Sequence, residues 1–427
     1  MRLVLVDRVE QVRSCFYPLS LSRPIWELRC GMGTLKDKLL AVAGAGEAAY
    51  FVPGYMADAY RERVEGAVND VSALRGDDLL VVDPRIRADD FDVAGTGPSE
   101  VGVDEKGEVV YARIAKGDAG RLDGSGIEAF MESAKAKLAK AACDLKRYKY
   151  SWDLILSNAE QITADFASAG RSGIEGVVEE PKAIRGSEKD IYVARGARVH
   201  PMVVIDAEHG PVHIDEGAEI HPFTRIEGPC YIGKGSILFG AKCREGNTIG
   251  PNCRVGGEVE ESIIHGYSNK YHDGFLGHAY VGEWVNLGAL TTNSDLKNDY
   301  STVSVMLDGV RSVETGSTKV GSLIGDHTKT SIGTLFNTGS YVGGMAIIMA
   351  TGKPLPKFIP SFAWFVEGVV TKGFGRKSLY DTARAAMGRR GCEWSAAEQA
   401  MWDGIFEITS AGRDRAVKRG RKAMLGR

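Results

Sequence analysis

The sequence predicts an α/β domain, then a left-handed parallel β-helix of the hexapeptide type, then a short helical tail. Three observations predict it. Aliphatic residues recur at Val193, Val199 and Ile205 and again at Ile214, Ile220, Ile226, Ile232 and Leu238, six apart save for one three-residue insertion at AEHG. The 53 glycines exceed the ~7% of ordinary globular usage and concentrate between residues 190 and 350. The flanking stretches carry neither feature and read as mixed strand and helix.

Residues 1–185 form the predicted α/β domain. It opens on a strand, MRLVLVD, and has a second near DDLLVVDP. Helices follow in GIEAFMESAKAKLAKAACDLKRY and SWDLILSNAEQITADF. Residues 186–370 form the predicted β-helix. A period of six fits neither a helix nor a half-buried strand; it fits a triangular prism with three hexads per coil, in which every sixth side chain points to the axis. Ala197, Ala218, Thr224 and Ser236, four places after an aliphatic, have the size for a second inward position. The phase recurs at Ile249 and Val255, at Phe275, Val281 and Leu287, and at Val342 and Ile348. The irregular stretch from Asn293 to Gly316 reads as a loop leaving one face, the kind of segment that binds ligands. Residues 371–427 form the tail, with helices around SLYDTARAAMG and SAAEQAMWDGIFEIT. Its basic ending, AGRDRAVKRGRKAMLGR, reads as a solvated helix face.

A formal net charge of -3 with 26% charged residues gives no sign of a nucleic-acid or membrane partner. A small molecule is the expected partner. Seven cysteines without a CxxC pair argue against a disulfide framework and a cysteine zinc site, which points to the cytoplasm. The N-terminus is charged from its second residue and has no apolar run long enough for a signal peptide or membrane span.

The richest polar segment is SNKYHDGFLGHAYVGEWVNLGA, Ser268 to Ala289. Its histidines, His272 and His278, stand six apart and so on neighbouring faces, which argues against a shared metal. An imidazole, titrating near ~6.5, suits a general base for an amine or hydroxyl nucleophile. This segment resembles the acetyltransferase active site of the bifunctional uridylyltransferase and glucosamine-1-phosphate N-acetyltransferase family, S-K-x-G-H-x-x-Y-L-G-D-x-x-I-G-x-x-V-N-I-G-A-G-T. The whole chain is similar to a divergent branch of sugar nucleotidyltransferases. That branch carries LT[FL][ST]RP-x-x-[DE]LR-x-G, matched by PLSLSRPIWELRCG at Pro18 to Gly31. It also carries WD-x-x-x-x-N, matched at Trp152 to Asn158, and FIPSF-x-W, matched at Phe358 to Trp364.

The resemblance implies that His272 is the catalytic base. It places Phe275 at a substrate-binding tyrosine, Asn286 at a substrate or cofactor asparagine and Arg244 at an arginine holding the sugar phosphate, a role that suits a bidentate guanidinium. Lys270, Asn293 and Lys297 complete the expected substrate set. Two departures bear on the acceptor: Phe275 lacks the tyrosine hydroxyl, and no lysine stands near Glu260 to Ser262.

The family's glycine-rich phosphate turn, L-A-A-G-x-G-T-R-M, does not follow MRLVLVD. GMGTLKDK, Gly31 to Lys38, imitates it faintly and also reads as a helix-capping turn. The expected nucleotide-binding charges are Arg23, Arg29, Lys36 and Lys38, with Asp83 as the magnesium ligand. The resulting expectation is a homotrimer that transfers an acyl group from acetyl-CoA or another acyl-CoA to an amino-sugar phosphate. Its N-terminal domain would join a sugar 1-phosphate to UTP or dTTP with Mg2+. The alternatives are nucleotidyl transfer alone, or a non-catalytic scaffold that binds sugar nucleotides.

Overall fold

The computed structural model describes residues 1–425. The N-terminal sheet contains β1 (Arg2–Val6), β2 (Glu47–Phe51), β3 (Ala67–Val68), β4 (Leu79–Val82), β5 (Glu100–Val103), β6 (Val109–Ile114) and β7 (Ala139–Ala142), in the order β3-β2-β1-β4-β6-β5-β7. β1 runs parallel to both β2 and β4. Leu3, Val4 and Leu5 are all buried, because a central parallel strand is covered on both faces. β6 turns antiparallel against β4 and β5.

The longer helices of this domain are α1 (Leu35–Ala43), α2 (Ile127–Lys137), α3 (Ser151–Leu156) and α4 (Asn158–Ala169). Thr34 and Asp37 form a capping box at the start of α1, and Gly44 ends it in the left-handed region. GMGTLKDK is thus a helix-capping turn. The helix expected to run on to Tyr148 stops at Lys137; Ala139–Ala142 instead pairs in parallel with β5, so strand pairing overrides local helix propensity here.

The β-helix begins earlier than expected. Gly173–Ile174, Val177–Val178 and Ala183–Arg185 each pair with a strand of the next coil, so the first coil starts at residue 173, ahead of the expected boundary at 186. Three parallel faces result. The first stacks Val193 on Ile214, Ile232, Ile249, Ile264, Val281, Ile324, Val342 and Ile359. The second stacks Val199, Ile220, Leu238, Val255 and Lys270. The third stacks Ile205, Ile226, Cys243, Val259 and Leu276. Leu276, rather than the expected Phe275, faces inward: the step from Leu276 to the inward Val281 is one residue short of a hexad, so counting six back from Val281 lands one place early. Ala197, Ala218, Thr224 and Ser236 are buried as the second inward set.

Residues 295–319 leave the prism between the strand Thr292–Asn293, which still pairs with the next coil, and the first-face strand Ser322–Ile324. Part of this excursion forms a hairpin, Ser304–Met306 against Ser312–Glu314. Val303 and Val305 pack with Phe16, Ile25, Tyr148 and Trp152, so the excursion is fastened to the α/β domain. Three more helices close the chain: α5 (Arg376–Gly388), α6 (Ala396–Ile408) and α7 (Ser410–Leu425). α6 wedges Trp402 and Ile405 between the α/β core and the last coils. α7 buries Arg413, Ala416 and Val417, so the basic tail is a packed helix rather than a wholly solvated face.

The shared motifs of the sequence meet where the two domains join. Arg23 is buried against Asp326 and lies 3.2 Å from Glu283. Ser22 donates to Asp326 at 2.6 Å. Asn158 accepts from the Gly31 amide at 2.7 Å and from Thr248 at 3.0 Å, and donates to the Gly246 carbonyl at 2.8 Å. Phe362, from FIPSF, packs edge-on against Trp402 and Phe406.

Candidate active site

His272 is exposed just past the second-face strand Asn269–Lys270, at the corner leading to the third face. On that second face the outward positions of successive coils are Arg254, Asn269, Asn286 and Lys329. They form a ladder because side chains of equivalent hexad positions stand one coil apart. Asn269 donates to Asn286 at 3.1 Å. A cavity of about 620 Å³ is lined by His272, Asn286, Asn269, Arg254, Arg389 and Arg390. It shares Asn269, Asn286, Arg389 and Arg390 with a second of about 340 Å³ that reaches Tyr267, Trp284 and Lys329, so the two form one groove.

Three guanidiniums border this groove. Arg254 donates only to the carbonyls of Gly235 and Cys253, and Arg390 donates to Asn269 at 3.0 Å. Among the described residues none of Arg254, Arg389 and Arg390 has a carboxylate partner. Burial, reinforced by the Arg390 charge, lowers the Arg254 pKa. A wall of cations so arranged attracts a multiply charged anion. At the far end Tyr267 stacks on Trp284 at 4.4 Å between ring centres. Sequence reasoning found His272 and Asn286 but missed the three arginines, Asn269 and the aromatic pair. A strict hexad register would not have placed Arg254 and Asn269 beside Asn286, because the coils joining them are shorter than three hexads. Arg389 and Arg390 come from beyond the last turn of α5, which folds back over the second face, and no local pattern announces that.

The other expected substrate residues are dispersed. Arg244 and Phe275 belong to the third face, around the corner from the groove. Arg244 pairs with Glu260 at 2.6 Å, and Glu260 also takes Lys319 at 3.2 Å. Lys319 thus supplies a cation that the sequence seemed to lack near Glu260. The Phe275 ring lies over Gly277, where an added Cβ would meet its Cζ at 2.3 Å. Behind it His278, at φ +44, is gripped by Asp295 at 2.9 Å and Glu261 at 3.0 Å. Burial lowers its pKa, but the two carboxylates outweigh burial and raise it to about 9. A histidine so held favours its charged form.

Three expectations are corrected. Lys270 points into the prism, where its ammonium donates to the carbonyls of Gly256 at 2.9 Å and His272 at 2.6 Å. It takes the inward place that Val255 holds one coil earlier, so it does not face substrate. Asn293 is buried and uses both ends of its amide on the Gly277 backbone. Lys297 sits on the excursion and bonds to Ser301 and the Thr302 carbonyl, away from the groove.

The expected nucleotide-binding charges also serve other purposes. Arg23 is held by β-helix carboxylates, Arg29 donates to the His265 carbonyl, Lys36 pairs with Glu27 and Lys38 with Asp165. All four lie off the carboxyl ends of the sheet strands, where open α/β sheets bind ligands. At that place, where β1 and β4 end side by side, a cavity of about 460 Å³ is lined by Asp7, Arg8, Asp83, Arg85, Tyr111, Glu128 and Lys135 among others. Asp83 does stand at a strand end, yet Arg85 at 2.6 Å and Arg147 at 3.3 Å neutralise it. Asp7 is bonded to Arg13 and the Ile25 amide. Two carboxylates already neutralised by arginines do not fit Mg2+, which needs free oxygen ligands.

Residues 3–172 match the sugar nucleotidyl transferase family. The bifunctional protein GlmU of Jannaschia sp. is 37% identical over 111 residues, 25% of this chain and 24% of that protein. The GlmU of Rippkaea orientalis is 27% identical over 162 residues, 38% of this chain and 30% of that protein. The chain spans about a quarter of the length of the first of these relatives. Among solved structures, the UDP-N-acetylglucosamine acyltransferase of Francisella novicida aligns over 57% of this chain and 89% of its own, at 13% identity and a TM-score of 0.30. No helix among the described residues is long and apolar enough to cross a membrane.

Proposed function

We infer that the chain is a GlmU-like transferase whose β-helix moves an acyl group from an acyl-CoA to the amine of an amino-sugar phosphate. The observation that carries this reading is the groove itself: an exposed histidine and an asparagine at the foot of three arginines without carboxylate partners. Coenzyme A brings clustered phosphates for such a wall and a thioester for the corner where His272 stands. The imidazole takes a proton as the amine attacks the thioester carbonyl. The tetrahedral oxyanion is steadied by a backbone N–H of the coil. Collapse forms the amide, breaks the carbon–sulfur bond and releases a thiolate, which recovers the proton from the imidazolium. Arg244 and Lys319 are the third-face cations suited to the sugar phosphate, with Phe275 as an apolar platform beside them.

A homotrimer fits one further feature. Met202, Phe223, Phe239, Leu290, Ile332 and Met349 are exposed, and each follows a second-face strand, so they line one edge of the prism. His272 shares that edge, which would place the base beside a neighbouring subunit. Sedimentation at working concentration tests the assembly.

The deciding experiment is coenzyme A release from acetyl-CoA with glucosamine 1-phosphate, comparing the parent chain with His272→Ala. Loss of a positioned base should slow transfer by roughly 10²- to 10⁴-fold, while the exposed site leaves the fold intact. Undiminished release would remove His272 from the mechanism.

A second reading rests on the family match over residues 3–172 and the cleft at the ends of β1 and β4. There a sugar 1-phosphate and UTP or dTTP would be joined, with Arg8, Arg85 and Lys135 as the cations at hand. Thermal stabilisation separates the sites, since a ligand specific to the native state raises the melting temperature. Coenzyme A acting alone supports the first site, UTP or dTTP the second, and neither ligand supports a non-catalytic scaffold.

A further inference from the structure

The geometry points to a divalent transition-metal site of the zinc class, unrelated to the groove, on the second face at His200, Glu219 and His221. One potential ligand atom from each residue lies within 4.8 Å of the others. The hexapeptide register builds the cluster. Val199 and Ile220 are inward partners on adjacent coils, and side chains flanking an inward residue point outward. His200 therefore stands beside His221, and Glu219 stands on the same outward surface.

Both imidazoles aim Nε2 at the same carboxylate oxygen, at 2.8 Å from His200 and 3.6 Å from His221. Their rings stack 4.9 Å apart with planes 20° from parallel, and Phe239 packs against His221 from the other side. Zinc bonds of ~2.0–2.2 Å imply a tetrahedral edge of roughly 3.3 Å between ligand atoms. Small side-chain rotations of these half-buried residues would close the cluster to that size. Two imidazoles and a carboxylate leave a fourth position for water, the ligand count of an open zinc site.

A second layer stands behind the cluster. Glu179, one coil earlier, has a carboxylate oxygen 3.9 Å from His200 Nδ1, the nitrogen a metal-bound ring would present as N–H. A carboxylate in that place fixes the tautomer and orients the ring. Glu179 also pairs with Arg198 at 2.7 Å, so the nearest cation is offset by a charge outside the cluster. Nitrogen-rich ligands select Zn2+, Co2+, Ni2+ or Cu2+ over Mg2+ and Ca2+.

The test uses the untagged full chain, stripped with a chelator and titrated with Zn2+ by calorimetry and Co2+ by visible absorption. One equivalent should bind with a Kd of about 10 µM or tighter, unaffected by millimolar Mg2+, and Co2+ should give the intense visible bands of a four-coordinate site. His221→Ala and Glu219→Gln should each weaken binding by about tenfold or more. Circular dichroism confirms that the variants fold, and His200→Gln substitutes for either that does not. Absence of Zn2+ binding in the parent chain, or binding unchanged in the folded variants, would overturn the site. Zn2+ binding that does not weaken by about tenfold between pH 7.5 and pH 5 would do the same, because imidazole must be neutral to ligate.

Discussion

Lys270 occupies an inward position that Val199, Ile220, Leu238 and Val255 fill in earlier coils. Burial pulls its pKa down to about 8. Its unfolded value is near ~10.4, so between about 8 and that value the unfolded chain binds more protons and stability rises with pH. Below that window the buried ammonium carries its full penalty. Lys270→Met should stabilise the protein by roughly 1–3 kcal/mol at pH 7, and the gap from the parent should close as pH approaches 10. Melting curves at the two pH values check this; an equal gap at both would mean the ammonium is not desolvated. Sequence alone could not separate Lys270 from the exposed His272 two places on. Both sit in the resemblance segment, and only the coil register tells inward from outward. A one-residue shortening likewise turned Phe275 outward and brought Leu276 in.

At the scale of elements, α5 completes the groove. Its amphipathic pattern was legible, since Leu379, Tyr380, Ala383 and Met387 recur at helical spacing and are buried. Its destination was not, because which face a helix covers is decided by tertiary packing. The double variant Arg389→Ala/Arg390→Ala should raise the KM for acyl-CoA by about tenfold or more, as loss of charge-assisted contacts predicts. It should also flatten the dependence of KM on ionic strength, with kcat changed little. A lowered kcat at constant KM would instead mean that these side chains act on the reacting atoms. The excursion after Asn293 is also fastened by tertiary packing: Val303 and Val305 anchor it inward on the α/β domain, which no local pattern announced.

Across the whole molecule, the period of six revealed the β-helix from sequence because the prism repeats it along the early coils, even though corners lengthen or shorten individual coils. The motifs around Arg23, Asn158 and Phe362, by contrast, carried the family resemblance, with Arg23 expected to meet nucleotide, and all three lie where the two domains join. Their conspicuous polarity comes from burial between domains, where each donor needs a partner. Arg23→Ala should therefore leave the buried Asp326 without its cation and cost about 3–5 kcal/mol. Both domains should lose thermal stability together in a calorimetric scan. Stability kept while nucleotide binding alone fails would restore Arg23 to a binding role.

The position of Arg389 and Arg390, late in the chain yet facing coils formed near its middle, sets an order of assembly on the ribosome. The coils bearing His272 and Asn286 can stack as soon as they emerge from the exit tunnel. Two of the three arginines, Arg389 and Arg390, arrive only after α5 has been translated. A nascent chain stalled between Asn286 and Arg389 thus presents His272 and Arg254 on a groove still open on its far side, which closes only when the final helices emerge and dock.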